Sequence, residues 1–256
     1  MTLRSLFVAV LLAPAPLAAQ GIAGAARIAD SAQQLIVASQ LTGSPRDLAL
    51  ALALLERGLT AYPDDPYLLH YTGYALYRQA SLNDAGRGDG RPGATLRELA
   101  DSALEASARR QPLAETYALL ASVRGQLIPA DPSRAMELGM AAGEAMARAH
   151  TLGPDNPRVW LLDGISAIFT PQEYGGGSAR AEERLRRAVA LFEHDAPSPP
   201  APRWGKAEAH AWLGQVLQRA GRREEARAEY QRALELEPQN AWVRYKLIPG
   251  LDRPSR

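Results

Sequence analysis

The sequence predicts an all-α fold: an α-solenoid of about five helical hairpins with a C-terminal capping helix. Three observations carry this. Apolar residues recur with helical periodicity, and no stretch of useful length alternates as a strand would. A spacing of four, then three, between small and large apolar residues returns five times. Turn signals such as YPDDP, GPDNP and LEPQN separate the periodic runs.

The elements follow in chain order. MTLRSLFVAVLLAPAPLAAQ has a basic start at Arg4, an apolar run from Leu6 to Ala13 and small residues at Ala18-Ala19. This pattern predicts a signal peptide over residues 1–19, cleaved near Ala19, and an exported, periplasmic or envelope-associated protein. The apolar run is too short to span a bilayer, and no later segment is apolar enough to cross one. Residues 20–256 form the repeat domain. Its first hairpin, at about 28–63, carries Ala51, Leu55 and Gly58 at the repeated spacing. The second, 66–112, carries Ala100, Leu104 and Ser107; the third, 114–154, carries Ala142, Met146 and Ala149. The fourth, 157–195, carries Ala181, Leu185 and Ala188; the fifth, 207–238, carries Ala226, Tyr230 and Ala233, with Pro238 stopping its second helix. A run at 240–248 covers the open end, and Pro249 is expected to end it.

The fifth unit, AEAHAWLGQVLQRAGRREEARAEYQRALELEPQN, resembles a tetratricopeptide repeat (TPR). It has 34 residues and carries Leu213-Gly214, Leu217, Ala226, Tyr230, Ala233 and Pro238, with His210 in the tryptophan slot. Weaker versions of the pattern cover nearly all of residues 20–256. The resemblance implies that the first helix of each hairpin lines a concave groove. TPQEYGGG and PRWG are also similar to segments of some exported bacterial repeat proteins, a group that carries no function over.

Three hairpins are enlarged between their helices. Gly214 to Ala226 spans 12 positions, whereas the equivalent spans are 27 from Gly73, 21 from Ala121 and 17 from Gly164. The additions are loops 81–94, 127–133 and 170–178. Insertions at one place in a repeat gather on one rim, where they either bind or are simply tolerated. The third holds the GGG of TPQEYGGG. A phosphate-binding loop would need Lys-Ser or Lys-Thr after the glycines and a strand before them. Here Ser178-Ala179 follows and a helix precedes, so the glycines read as a compact turn.

Composition narrows the chemistry. The chain of 256 residues has a formal net charge of +1, which gives no general attraction to nucleic acid, and no cysteine, hence no disulfide and no thiol nucleophile. Its four histidines show no paired-ligand spacing; His194-Asp195 is the nearest approach to a metal site. No metal, cofactor or catalytic motif is predicted. An enzyme alternative remains, a hydrolase-like site built on the inserted loops from Asp84, Asp89, Asp131 and Glu173.

The sharper feature is YLLHYTGYALYR. On a helix, Tyr67, His70, Tyr74, Tyr77 and Arg78 cluster opposite Leu69, Thr72, Gly73 and Leu76. Tyrosine gives rigid amphipathic contact at low entropy cost, which suits peptide capture. By the geometry the resemblance implies, Leu161, Ile165, Gln215 and Arg219 join them in the groove. The expected function is non-catalytic: a scaffold or adaptor that captures a protein segment there, Arg78 and Arg219 fixing its polar groups. Two alternatives stand beside the enzyme: packing of the tyrosines against an inserted loop or neighbouring hairpin, and a self-assembling or envelope-assembly subunit whose loop-bearing rim meets its own copies or a membrane complex.

Overall fold

The computed structural model describes residues 17–251, without the side chains of residues 17–20 and 22. Regular structure among these residues is entirely helical. Five hairpins follow one another: α1 (Leu17–Thr42) with α2 (Pro45–Ala61), α3 (Pro66–Asp84) with α4 (Gly93–Arg110), α5 (Ala114–Leu127) with α6 (Ala135–Leu152), α7 (Pro157–Phe169) with α8 (Ser178–Phe192), and α9 (Lys206–Arg219) with α10 (Arg223–Leu236). The α-solenoid expected from the sequence is the architecture observed. The expected signal peptide lies outside the described residues except for its last three, which open α1. Among the described residues, no helix is long and apolar enough to cross a membrane.

Local chemistry explains where the helices start. Asp65 accepts from the backbone N–H of Tyr67 and Leu68, Asn156 from Arg158 and Ser44 from Asp47; in each case proline follows at the first helical position. These are N-caps with the preset φ that a helix start requires. α1 starts earlier than residue 28 because its alanine-rich first turns favour helix and lay Gly21 and Gly24 against the Tyr62 ring.

Within hairpins the small residues allow close approach. A Cβ on Gly73 would overlap Leu104, one on Gly214 would overlap Tyr230, and one on Gly164 would stand 2.7 Å from Leu185. The odd-numbered helices touch in series, α1 to α3, α3 to α5, α5 to α7 and α7 to α9. They form the inner layer, and each even-numbered helix leans on the odd-numbered ones beside it. α3 is buried nearly all round, from Leu68 through Ala80. It is the central helix of the molecule.

One detail departs from expectation. Pro249 does not end the cap. A π-helical turn, Val243–Leu247, leads without a break into α11 (Ile248–Leu251), and Pro249 lies within this continuous helical run. The long connector between α8 and α9 packs inward through Trp204, which is 3% exposed.

Candidate functional site

The two halves of the inner face differ. In the first, residues 196–205 cross from α8 to the opposite side of the solenoid. The Tyr71 hydroxyl donates to the Pro200 carbonyl at 2.7 Å, and the Arg203 amide donates to Gln33 Oε1 of α1 at 2.6 Å. The Arg203 guanidinium pairs with Asp30. The Trp204 ring stacks on Tyr74, with centroids 4.6 Å apart and planes 20° apart. Glu208, one turn into α9, pairs with Arg78 of α3 at 3.3 Å. The last hairpin is therefore tied across the groove to the first two.

Beneath the connector lies Arg158, 2% exposed. Its two terminal nitrogens donate to Asp195 at 3.1 and 2.6 Å, and its guanidinium carbon stands 5.4 Å from the Phe192 ring centre and 6.0 Å from that of Trp204. A buried guanidinium needs such a bidentate partner. His70, fully buried, shares its Nδ1 with the Thr116 hydroxyl at 2.8 Å. Burial, then the Arg158 charge, push its pKa down from 6.5 to about 3. Burial likewise pushes the Tyr71, Tyr74 and Tyr77 hydroxyls upward. Among the described residues, His70 Nε2, Arg158 Nε and Trp204 Nε1 find no hydrogen-bond partner. An unmatched buried polar group typically costs about 1–3 kcal/mol.

This corrects the expected groove lining. His70, Tyr74, Tyr77, Leu161 and Ile165 are buried and present no open surface. Each cover has a cause. Trp204 lies on Tyr74, Gln126 of α5 donates to the Tyr77 hydroxyl at 3.1 Å, and Thr116 holds His70. Gly205, at φ 107°, packs over Leu161. Tyr67 is half-buried, and Arg78 is engaged by Glu208. Of the expected lining, Gln215 is half-buried and Arg219 exposed.

Those two belong to the second half, which is open. Trp212, Gln215 and Arg219 stand at i, i+3 and i+7 on α9 and share one helix face. Phe169, at the last position of α7, is 67% exposed, and its ring meets Trp212 edge-on at 6.2 Å. Trp212 in turn lies 5.2 Å from Trp242 of the cap. Exposed aromatic surface is a common feature of interaction sites, and here Phe169 supplies it while Trp212 and Trp242 are half-buried. The sequence reading passed over Phe169, Trp212 and Trp242. The signal was available, because Trp212 falls on the same face of α9 as Gln215 and Arg219.

The inserted loops are built from internal contacts. In the first, the Asn83 amide donates to Asp89 and to the Arg91 carbonyl, both at 2.7 Å, and Arg91 Nε donates to Asp89 at 2.8 Å. Arg91 and Asn83 hold the Asp89 carboxyl down at about 2, and Asp84 pairs with Arg97. Both carboxylates are thus committed to neighbours in the loop and its flanks. This loop edges an open groove of about 990 Å³ between α2 and α3, with Leu52 and Leu76 at its floor. Asp131 caps the Pro132–Arg134 turn, and Glu173 lies in the Gln172–Tyr174 turn. In the third loop the Gly176 amide bonds Pro171 O at 3.0 Å and the Gly177 amide bonds Ala167 O at 2.8 Å. Gly175 and Gly177 adopt φ of 84° and 98°, so the glycines serve a tight turn. Asp195 is committed to Arg158, and among the described residues no three acidic or histidine side chains gather as a metal site would require.

Comparison with known proteins agrees with this architecture. Residues 207–240 match the Tetratricopeptide repeat family. A thermophilic TPR protein from Thermus thermophilus superposes with a TM-score of 0.61 at 22% identity, over 87% of this chain and 98% of that one. The HusA haemophore from Porphyromonas gingivalis gives 0.55 at 24%, over 72% and 90%. The Cut9–Hcn1 complex of the APC/C gives 0.50 at 17%, over 80% and 34%. No curated protein sequence matches significantly. The TPR fold is an interaction scaffold in general terms. The last hairpin carries a recognisable tetratricopeptide repeat, and the chain shares the solenoid fold of these structures.

Proposed function

We propose that the protein is a non-catalytic scaffold that holds an apolar segment of a partner protein against the aromatic row of its last hairpins. Phe169, Trp212 and Trp242 supply the contact area, and Gln215 and Arg219 bind the segment's polar groups. The exposure of Phe169 within a row of aromatic rings carries this reading. The leader-like first residues support export, so the partner belongs to the cell envelope. The test is crosslinked capture from envelope extract, with the full chain and a Phe169→Ser/Trp212→Ser variant as parallel baits. A partner caught by the first and lost by the second is expected. Equal capture by both would remove the aromatic row from the reading.

A second reading, self-association, draws on α6, where Met136 is 81% exposed and Met140 64%. It requires a mass that rises with concentration in sedimentation, and a Met136→Glu/Met140→Glu variant that stays monomeric.

A further inference from the structure

We propose that the closed half of the inner face is itself a binding site for a proline-rich segment carrying an Arg-Trp pair, occupied here by the chain's own residues 196–205. This does not depend on the aromatic row.

Joining α8 to α9 does not require a detour to α1 and α3. The connector makes one, and it is seated as a bound peptide would be. It has no helix or strand of its own. Its backbone is read by groove side chains, Tyr71 on the Pro200 carbonyl and Gln33 on the Arg203 amide. Its two specific side chains have dedicated partners, Asp30 for Arg203 and Tyr74 for Trp204. A proline-rich strand gives up little conformational freedom when bound this way.

The seat also offers more than the connector uses. Among the described residues, the buried side-chain nitrogens or oxygens without a partner are Trp204 Nε1, Arg158 Nε and His70 Nε2. Trp204 belongs to the connector, Arg158 lies beneath it, and His70 packs edge-on to Tyr71, with ring centres 5.0 Å apart. Beside Arg158 the connector runs as Ala196 and Pro197, neither of which carries a side-chain acceptor. A partner segment with the same Arg-Trp anchor and a carboxamide, hydroxyl or carboxylate at one of those positions would accept from Arg158 Nε, the donor of the seat that the connector leaves unmatched. It would then compete with the tethered segment. The tyrosine face of α3 would be the lining it meets.

The probe is a fluorescent peptide of sequence DAPSPPAPRWGK, residues 195–206, followed by anisotropy against the full chain and its Trp204→Ala variant. Uptake at least tenfold tighter by the variant than by the wild type is expected, with no uptake of a peptide whose tryptophan is replaced by alanine. Should Trp204→Ala fail to fold, a full chain nicked at a protease site placed at the exposed Ser198–Pro199 decides instead: exchange of the peptide into it supports the site. No uptake by the folded variant or by the nicked chain would overturn the proposal and make residues 196–205 ordinary core. Dimerisation of either without peptide uptake would overturn it in favour of exchange between copies.

Discussion

Two parts of one inner layer carry aromatic residues with opposite fates: Tyr74 and Tyr77 on α3, and Phe169 of α7 with Trp212 of α9. Tyr74 and Tyr77 of α3 are 1% and 7% exposed, whereas Phe169 beside α9 is 67% exposed and Trp212 half-buried. What differs is the third party: α3 faces the connector and α5, and among the described residues no such segment covers the end of α7. Periodicity on a helix tells which side chains share a face, while coverage of that face is decided by chain segments far away in sequence.

That contrast can be broken most severely at its closed side. Trp204→Ala removes the ring stacked on Tyr74, and a loss of about 3–5 kcal/mol is expected in denaturant unfolding, as for other buried large-to-small changes. A loss below about 1 kcal/mol would show that the connector does not seal the groove. Asp195→Ala leaves Arg158 buried without its carboxylate. The cost should lie near the lower end of about 3–5 kcal/mol, because Asp195 retains 16% side-chain exposure. Arg158→Met/Asp195→Leu should recover much of it, and failure to recover would mean the pair does more than balance charge.

Acid sharpens the same side. His70 takes a proton near pH 6.5 when unfolded but only near about 3 when folded. Between these values the unfolded chain binds more protons, so stability falls as pH is lowered, by at most about 1.4 kcal/mol per unit. Denaturation midpoints at pH 6.5 and 5 should show this slope, and His70→Gln should flatten it. The smallest effect belongs to the open side. Phe169→Ala should alter stability by less than about 0.5 kcal/mol while weakening partner capture. A large loss of stability would make that residue structural.

The all-α class and the hairpin order were legible because each rests on local rules. Ala226, Tyr230 and Ala233 mark a close helix crossing, and Asp65-Pro66 marks a helix start, wherever they occur. The site was legible only in part. Tyr67, His70, Tyr74, Tyr77 and Arg78 do share one side of α3, but the partners that bury them come from Gln126, Thr116, Trp204 and Glu208. Those contacts bridge up to 130 positions, which no window on the sequence spans. Arg219 and Gln215 remained accessible because α9 is the last inner helix, with the short cap beside it rather than another hairpin.

The Arg78–Glu208 contact changes how the molecule should come apart. An open repeat array behaves as a row of neighbours, so its ends fray independently and losing a terminal unit removes one interface. Here the last unit also grips the second, and its lead-in grips the first. The row is closed into a loop of dependencies. Deleting residues 196–251 would therefore strip support from α1 and α3 as well as from α7, and amide exchange across all five hairpins should report a single cooperative opening.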